Sequence, residues 1–147
     1  MIVDNIRTQS TTMIGEDEIR AALSDYFDIV YFGDVSKINK IYHPSARLYC
    51  ASGDQFVTMG VEDYVRLVAG RESPAQKGEP RQDIIEIIEI LAPTMARARV
   101  REQMLPKLFT DELIFLFVDK KWSIVAKAWH YDLADRLPAG RFHSHRL

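Results

Sequence analysis

Apolar residues recur at helical spacing early in the chain, where Ile19, Leu23, Tyr26, Phe27 and Val30 form a single stripe. This predicts an amphipathic helix that starts after Gly15, a permissive cap, with Glu16, Asp17 and Glu18 in the first turn where the helix dipole favours negative charge. Gly33 suits a left-handed C-cap. Asp34 can cap a second, shorter helix carrying Val35, Ile38, Ile41 and Tyr42, and Pro44 stops it by forcing its predecessor out of helical geometry. Alternation then replaces the helical period. Residues 46–51 and 55–59 flank the turn former "SGD" and read as a hairpin. Helical spacing returns with Val61, Tyr64, Val65 and Val68 and closes at Gly70. The segment "RESPAQKGEPRQ" has no apolar period and reads as a surface loop.

The remaining pattern is that of strands over residues 84–91, 95–104, 112–118 and 122–131, separated by "APT", "LPKLFT" and "DKK". In the second of these, Arg97, Arg99, Arg101 and Gln103 alternate with Ala96, Ala98, Val100 and Met104, so one face is wet. The run "LIFLFV" is apolar on both faces, which suits a central or covered strand. Helices first and antiparallel strands afterwards make an α+β protein, in which three N-terminal helices pack in a strongly curved, mostly antiparallel sheet. Such a sheet forms a cone whose open end is a natural pocket. The chain is expected to be one domain, with a core of about residues 16–131 and a tail from 132 to 147.

Composition narrows the function classes. Hydrophobic residues make up 47% and charged residues 27%, a globular mix. A net charge of -2 gives no global attraction for nucleic acid or an anionic membrane, so neither is expected as a partner. The single cysteine, Cys50, excludes an intrachain disulfide and fits a reducing compartment. The opening "MIVDNIRTQSTTMIG" lacks the uninterrupted apolar stretch of a signal peptide, and the chain is expected to be complete and cytoplasmic.

Two stretches, "GDVSKINKIYHPSARLY" and "FVDKKWSIVAKAWH", resemble the nuclear transport factor 2-like superfamily. They are similar to its Gly-Asp helix followed by His-Pro-Asp-Ala and a strand, and to its terminal Asp-Gly-x-Trp hairpin. The likeness covers about residues 16–131 and is nearest the lumazine-binding and polyketide-cyclase-like branch. The superfamily also includes ketosteroid isomerases and scytalone dehydratases. Alignment with the isomerases on Gly33 and Asp34 implies that Tyr26 matches their oxyanion-binding tyrosine and Tyr42 the tyrosine that supports it. Cys50 stands where they keep the proton-transferring aspartate, and an ordinary thiol is mostly protonated at neutral pH, which disfavours their mechanism. Their acidic donor matches Ile114, or Leu113 or Phe115 with a one-residue slip, so no carboxylate is expected there.

The candidate ligand-binding residues are Tyr26, Tyr42, Cys50, Tyr64, Lys127, Trp129 and Tyr131. Tyr26 is the principal hydrogen-bond donor among them. Each has a plain structural alternative: core tyrosines that send a hydroxyl to a carbonyl, and a small buried thiol. On the last strand two faces compete. Trp122, Ile124, Ala126, Ala128 and His130 carry no fixed charge and suit the core, whereas the resemblance turns Val125, Lys127, Trp129 and Tyr131 inward. The residues support both. For general base, His43, His130 and Asp132 are the nominees. The arginine row could hold a phosphate, although a solvated face partly neutralised by Glu89 and Glu102 explains it as well. His143 and His145 lack a third ligand for a metal, and no metal or cofactor is expected.

These readings converge on a protein that binds a small apolar or aromatic ligand in an aromatic-lined pocket, with lyase, isomerase or cyclase-type chemistry on a carbonyl compound. The alternative is a non-catalytic interaction module whose interior is plugged by Tyr26, Phe56 and Trp129. The resemblance further implies a homodimer formed through the sheet face.

Overall fold

The computed structural model describes the backbone of residues 2–136 and the side chains of residues 15–135. Its elements follow the expected order: helix α1 (Ile2–Phe32), a 3-10 turn (Val35–Lys37), the single turn α2 (Ile38–Ile41), strands β1 (Tyr42–Cys50) and β2 (Val57–Gly60), helix α3 (Val61–Gly70), then β3 (Asp83–Ala92), β4 (Met95–Met104), β5 (Lys107–Val118) and β6 (Lys121–Leu133). The strands form one curved sheet in the order β2-β1-β6-β5-β4-β3. Every pairing is antiparallel except β1 with β6, which is parallel. His143 and His145 lie outside the described residues.

The stripe on α1 does what its spacing dictates: Ile19, Leu23, Tyr26, Phe27, Ile29 and Val30 are buried against the concave face of the sheet. The helix starts earlier than expected, however, so Gly15 is an interior residue and no cap. A close approach explains the residue type, because a Cβ there would stand 3.3 Å from Nε1 of Trp122. At the other end Gly33 adopts φ 68° and donates its N–H to the Ile29 carbonyl at 3.0 Å, closing the helix as anticipated. Asp34 caps the following turn by accepting from Ser36 N at 3.2 Å.

Three further boundaries differ from the sequence reading. The second helix shrinks to a 3-10 turn and α2, and β1 begins at Tyr42 with Pro44 inside it. A register irregularity between Tyr42 and Arg47 accommodates the proline, which cannot donate to a regular ladder. Phe56 does not plug the interior: it is 67% exposed and stacks on Tyr49 outside. Most consequential, β5 starts at Lys107, so "KLFTD" belongs to a strand. The inward series there is Phe109, Asp111, Leu113 and Phe115, and a carboxylate in an otherwise apolar row conceals the period.

The two competing faces of β6 are each half right. Its register against β5 slips between Ile114 and Phe115, so that Ile114 pairs with Ala126 and Phe115 with Ile124. The extra residue in β6 reverses the parity of the strand. Trp122 and Ile124 point inward before the slip, and Lys127 is buried after it, with Ala128 and His130 exposed. A regular strand could bury only one of these sets.

On the convex face the arginine row is neutralised. Arg97 pairs with Glu89 and Glu112, Arg99 with Glu112, and Arg101 with Glu86. Glu102 was expected to help there and does not. It shares the parity of Ala98 and Val100 and is 4% exposed on the concave side.

Candidate functional site

Strand register brings a polar cluster onto the concave face. Val100, Asp111 and Trp129 lie opposite one another across β4, β5 and β6, and Glu102, Phe109 and Tyr131 form the next row. Asp111 and Glu102 are therefore diagonal neighbours, the separation at which side chains of adjacent strands still touch. Asp111 is fully buried and accepts a hydrogen bond from the Tyr26 hydroxyl, delivered by α1. Its Oδ2 is also 3.8 Å from Nζ of Lys127. That ammonium lies among aromatic rings, 5.0 Å from the centroid of Tyr26, 5.1 Å from Tyr64 and 5.4 Å from Trp129.

The electrostatics follow from this crowding. Burial raises the Glu102 carboxyl well above the ordinary carboxylate range, and the Asp111 charge beside it raises it further, so Glu102 favours its protonated form. Burial lowers Lys127, whereas its acidic neighbours, Tyr64, Asp111 and Glu102, raise it, with a balance above the usual lysine value. With Glu102 driven toward its neutral form, Asp111 is the counter-charge that faces Lys127. Tyr26 and Tyr42 are both pushed well up, chiefly by burial, and stay neutral. A carboxyl driven toward its neutral form and a buried ammonium thus line the same cluster.

A cavity of about 470 Å³ opens directly above them. Its floor includes Glu102, Lys127, Tyr64 and Trp129, its apolar walls include Met104 and Phe109, and the loop after α3 supplies Arg71 and Lys77. Among the described residues, four buried polar atoms of this cluster, the hydroxyls of Tyr42 and Tyr64, Oε2 of Glu102 and Oδ1 of Asp111, make no well-formed hydrogen bond, and their side chains face one another as two pairs, Tyr42 with Tyr64 and Glu102 with Asp111. One member of each pair, Tyr64 and Glu102, lines the cavity, and Tyr42 and Asp111 stand outside its lining.

Of the expected ligand-binding residues, Tyr64, Lys127 and Trp129 line this cavity. Tyr26 and Tyr42 do not; they form the layer behind it, at 0% and 2% exposure. Cys50 is buried elsewhere on β1, where its Sγ accepts from Ser52 N at 3.4 Å. Tyr131 packs on Phe109 beneath Lys107, beyond the floor. None of the nominated bases reaches the cavity. His43 accepts from Ser45 N at 3.0 Å in a local turn. His130 and Asp132 meet at 3.1 Å, joined by Ser52 at 2.8 Å, on the strand parity opposite to Lys127 and Trp129. Glu102 and Asp111 were missed. Strict parity along "ARARVREQM" would have found the first, and extending the inward row of Leu113 and Phe115 back by one step the second.

A family model described as "Putative lumazine-binding" matches residues 15–130. The chain belongs to this family. Several structures similar to this lumazine-binding-family protein are described as nuclear transport factor 2-like, which agrees with the superfamily named from its sequence. One is a protein of that description from Shewanella baltica, 20% identical, with a TM-score of 0.73 over 82% of this chain and 95% of that one. Another, from Methylobacillus flagellatus, is 25% identical, with a TM-score of 0.65 over 80% and 92% of the two chains. A ketosteroid isomerase-like protein from Erwinia carotovora is 12% identical, with a TM-score of 0.62 over 78% and 94%. No curated protein matches the chain.

Membership places the protein in a ligand-binding family on a fold shared with isomerase-like proteins. The isomerase resemblance implies no carboxylate at Ile114 or its neighbours, but Asp111, three positions before Ile114, accepts a hydrogen bond from the Tyr26 hydroxyl. Among the described residues no group of three or more His, Cys, Asp or Glu is placed to hold a metal, and no helix is long and apolar enough to cross a membrane.

Proposed function

We propose that the cavity above Glu102 and Lys127 binds a flat, largely apolar compound with a carbonyl group. The observation that carries this is the coincidence of an apolar-walled cavity with a buried carboxyl, a buried ammonium and a buried tyrosine, Glu102, Lys127 and Tyr64, in its lining. A carbonyl oxygen reaching that floor accepts a hydrogen bond from protonated Glu102 and lies beside the Lys127 ammonium. Both groups strengthen as negative charge develops on the oxygen. Stabilising an enol or enolate in this way serves isomerisation, dehydration and cyclisation alike.

A suitable probe is 2-acetylnaphthalene, whose binding is followed by calorimetry and whose methyl protons exchange with solvent through the enol. In heavy water the protein is expected to accelerate that exchange, a methyl proton passing to a solvent base as Glu102 gives its own to the carbonyl oxygen. On reversal deuterium returns to carbon and the Glu102 carboxylate is reprotonated, and Glu102→Gln is expected to lose most of the acceleration. Trp129→Ala is expected to weaken binding about tenfold, the equivalent of about 1.4 kcal/mol of lost aromatic contact. Binding that is indifferent to Trp129 and Lys127 contradicts the assignment of the site. Binding without faster exchange reduces the function to that of a carrier.

The same reading includes a homodimer. Leu91, Met95 and Phe117, 48%, 39% and 39% exposed, cluster at one end of the sheet, where Met95 pairs with Leu116. Light scattering that gives a monomer at high concentration removes the dimer without touching the pocket.

A further inference from the structure

Cationic side chains crowd the approach to the cavity. Arg71, Lys77, Lys107 and Lys127 line it, against the acidic Glu72 and Glu102. Most of these cations are engaged. Lys77 lies 3.5 Å from the Glu79 carboxylate and donates to the Leu105 carbonyl at 3.4 Å. Lys107 rests 4.4 Å from the centre of the Tyr131 ring, and Lys127 faces Asp111. Arg71, at the C-cap of α3, has no hydrogen bond or ion pair with any described residue, and it is near enough to Lys127 to oppose its charging. Two like charges therefore line one space, and Glu102, an acid that also lines it, is held toward its neutral form. Glu72 is exposed.

A net charge of -2 over the chain makes this local excess more pointed, since nothing in the bulk composition produces it. A guanidinium presents a planar fork that matches a carboxylate or a phosphate, and it gains most where no acid of its own protein occupies it. We propose that the ligand carries an anionic group in addition to its carbonyl, held at the mouth by Arg71 with Lys107 while the carbonyl reaches Glu102 and Lys127. The ligand class is thus an aromatic or unsaturated keto acid, or the corresponding phosphate. The inference rests on the pocket reading above and adds the charge of its occupant.

Three matched probes test it: neutral 2-acetylnaphthalene, 6-acetyl-2-naphthoate and 6-acetyl-2-naphthyl phosphate, each titrated into the wild-type chain and Arg71→Gln at low and moderate salt. One or both anions are expected to bind at least about tenfold more tightly than the neutral ketone, with the preference shrinking in salt. The tighter of the two identifies the anion. In Arg71→Gln the preference is expected to fall below about threefold while the neutral ketone binds as before, which also shows that the variant is folded. A neutral ketone that binds as tightly as both anions overturns this inference and leaves the pocket standing. An anion preference that survives intact in Arg71→Gln likewise overturns it. No binding by any of the three overturns both.

Discussion

Replacing Asp111 by alanine is the sharpest perturbation of the buried cluster. The carboxylate is fully buried, accepts the Tyr26 hydroxyl and is the anion 3.8 Å from Lys127. Removing one partner of a buried ion pair costs about 3–5 kcal/mol, because the other charge stays behind without compensation. The stranded Tyr26 hydroxyl adds about 1–3 kcal/mol. Against this, Glu102 loses the neighbouring charge that opposes its ionisation, and its carboxylate can then partly serve Lys127. The net expectation is about 3–4 kcal/mol of lost stability. With a urea slope of about 1.5 kcal/mol per molar, the unfolding midpoint falls by about 2 M. The triple variant Tyr26→Phe, Asp111→Leu, Lys127→Met removes both groups that Asp111→Ala strands, the Tyr26 hydroxyl and the Lys127 ammonium, and is expected to be more stable than Asp111→Ala alone, since a buried pair can be exchanged for well-packed apolar groups at little cost. If Asp111→Ala unfolds within about 0.5 M of wild type, or the triple variant is the worse of the two, the cluster is not electrostatically coupled as described.

Other outcomes follow from the same geometry. The folded-state pKa of Glu102 lies above its unfolded value, so its neutral form contributes stability that is complete below about pH 4.3 and declines as pH rises toward the folded value, by at most about 1.4 kcal/mol per unit. Urea midpoints across that window should show the decline in wild type and its absence in Glu102→Gln. Asp28 works in the opposite sense: its hydrogen bond with Lys37 lowers its carboxyl, so its contribution is present above the ordinary aspartate range and is lost only as pH falls below it. Tyr26→Phe should destabilise the chain by about 1–2 kcal/mol while leaving affinity for 2-acetylnaphthalene within about twofold, because Tyr26 acts through Asp111 and does not line the cavity. Gly15→Val should lower the thermal midpoint by several degrees, as the added atoms meet Trp122 inside the tight contact at 3.3 Å.

Much of the architecture was legible because hydrophobic spacing is a local property. The stripe on α1, its stop at Gly33, the hairpin around "SGD" and the regular alternation of β4 all follow from residues a few positions apart. What could not be read locally was where that regularity breaks. The reversal of parity in β6 is a property of its pairing with β5, and neither "SIVAKAWH" nor "LIFLFV" alone signals an extra residue. The site suffered for the opposite reason. Glu102 and Asp111 violate binary patterning, and a charged residue at an inward position is ordinarily evidence that the position faces out or lies in a loop. Here each is an exception in an otherwise consistent inward row, and such conflicts between local pattern and fold concentrate where function is placed. Lys127 and Trp129 were recognised through family likeness, Tyr64 through its place on the apolar stripe of α3.

The claim on which the rest depends is that Glu102 is a neutral acid at the floor of a ligand site. Carbon NMR of protein labelled at the glutamate carboxyl carbons reads this directly, with Glu102→Gln assigning the resonance. One glutamate signal is expected to titrate far above the others and to move when 2-acetylnaphthalene is added, with both features missing in the variant. If every glutamate titrates near the ordinary value of about 4.3 and the ketone shifts none of them, Glu102 is an ordinary carboxylate and the cavity above it is not the site.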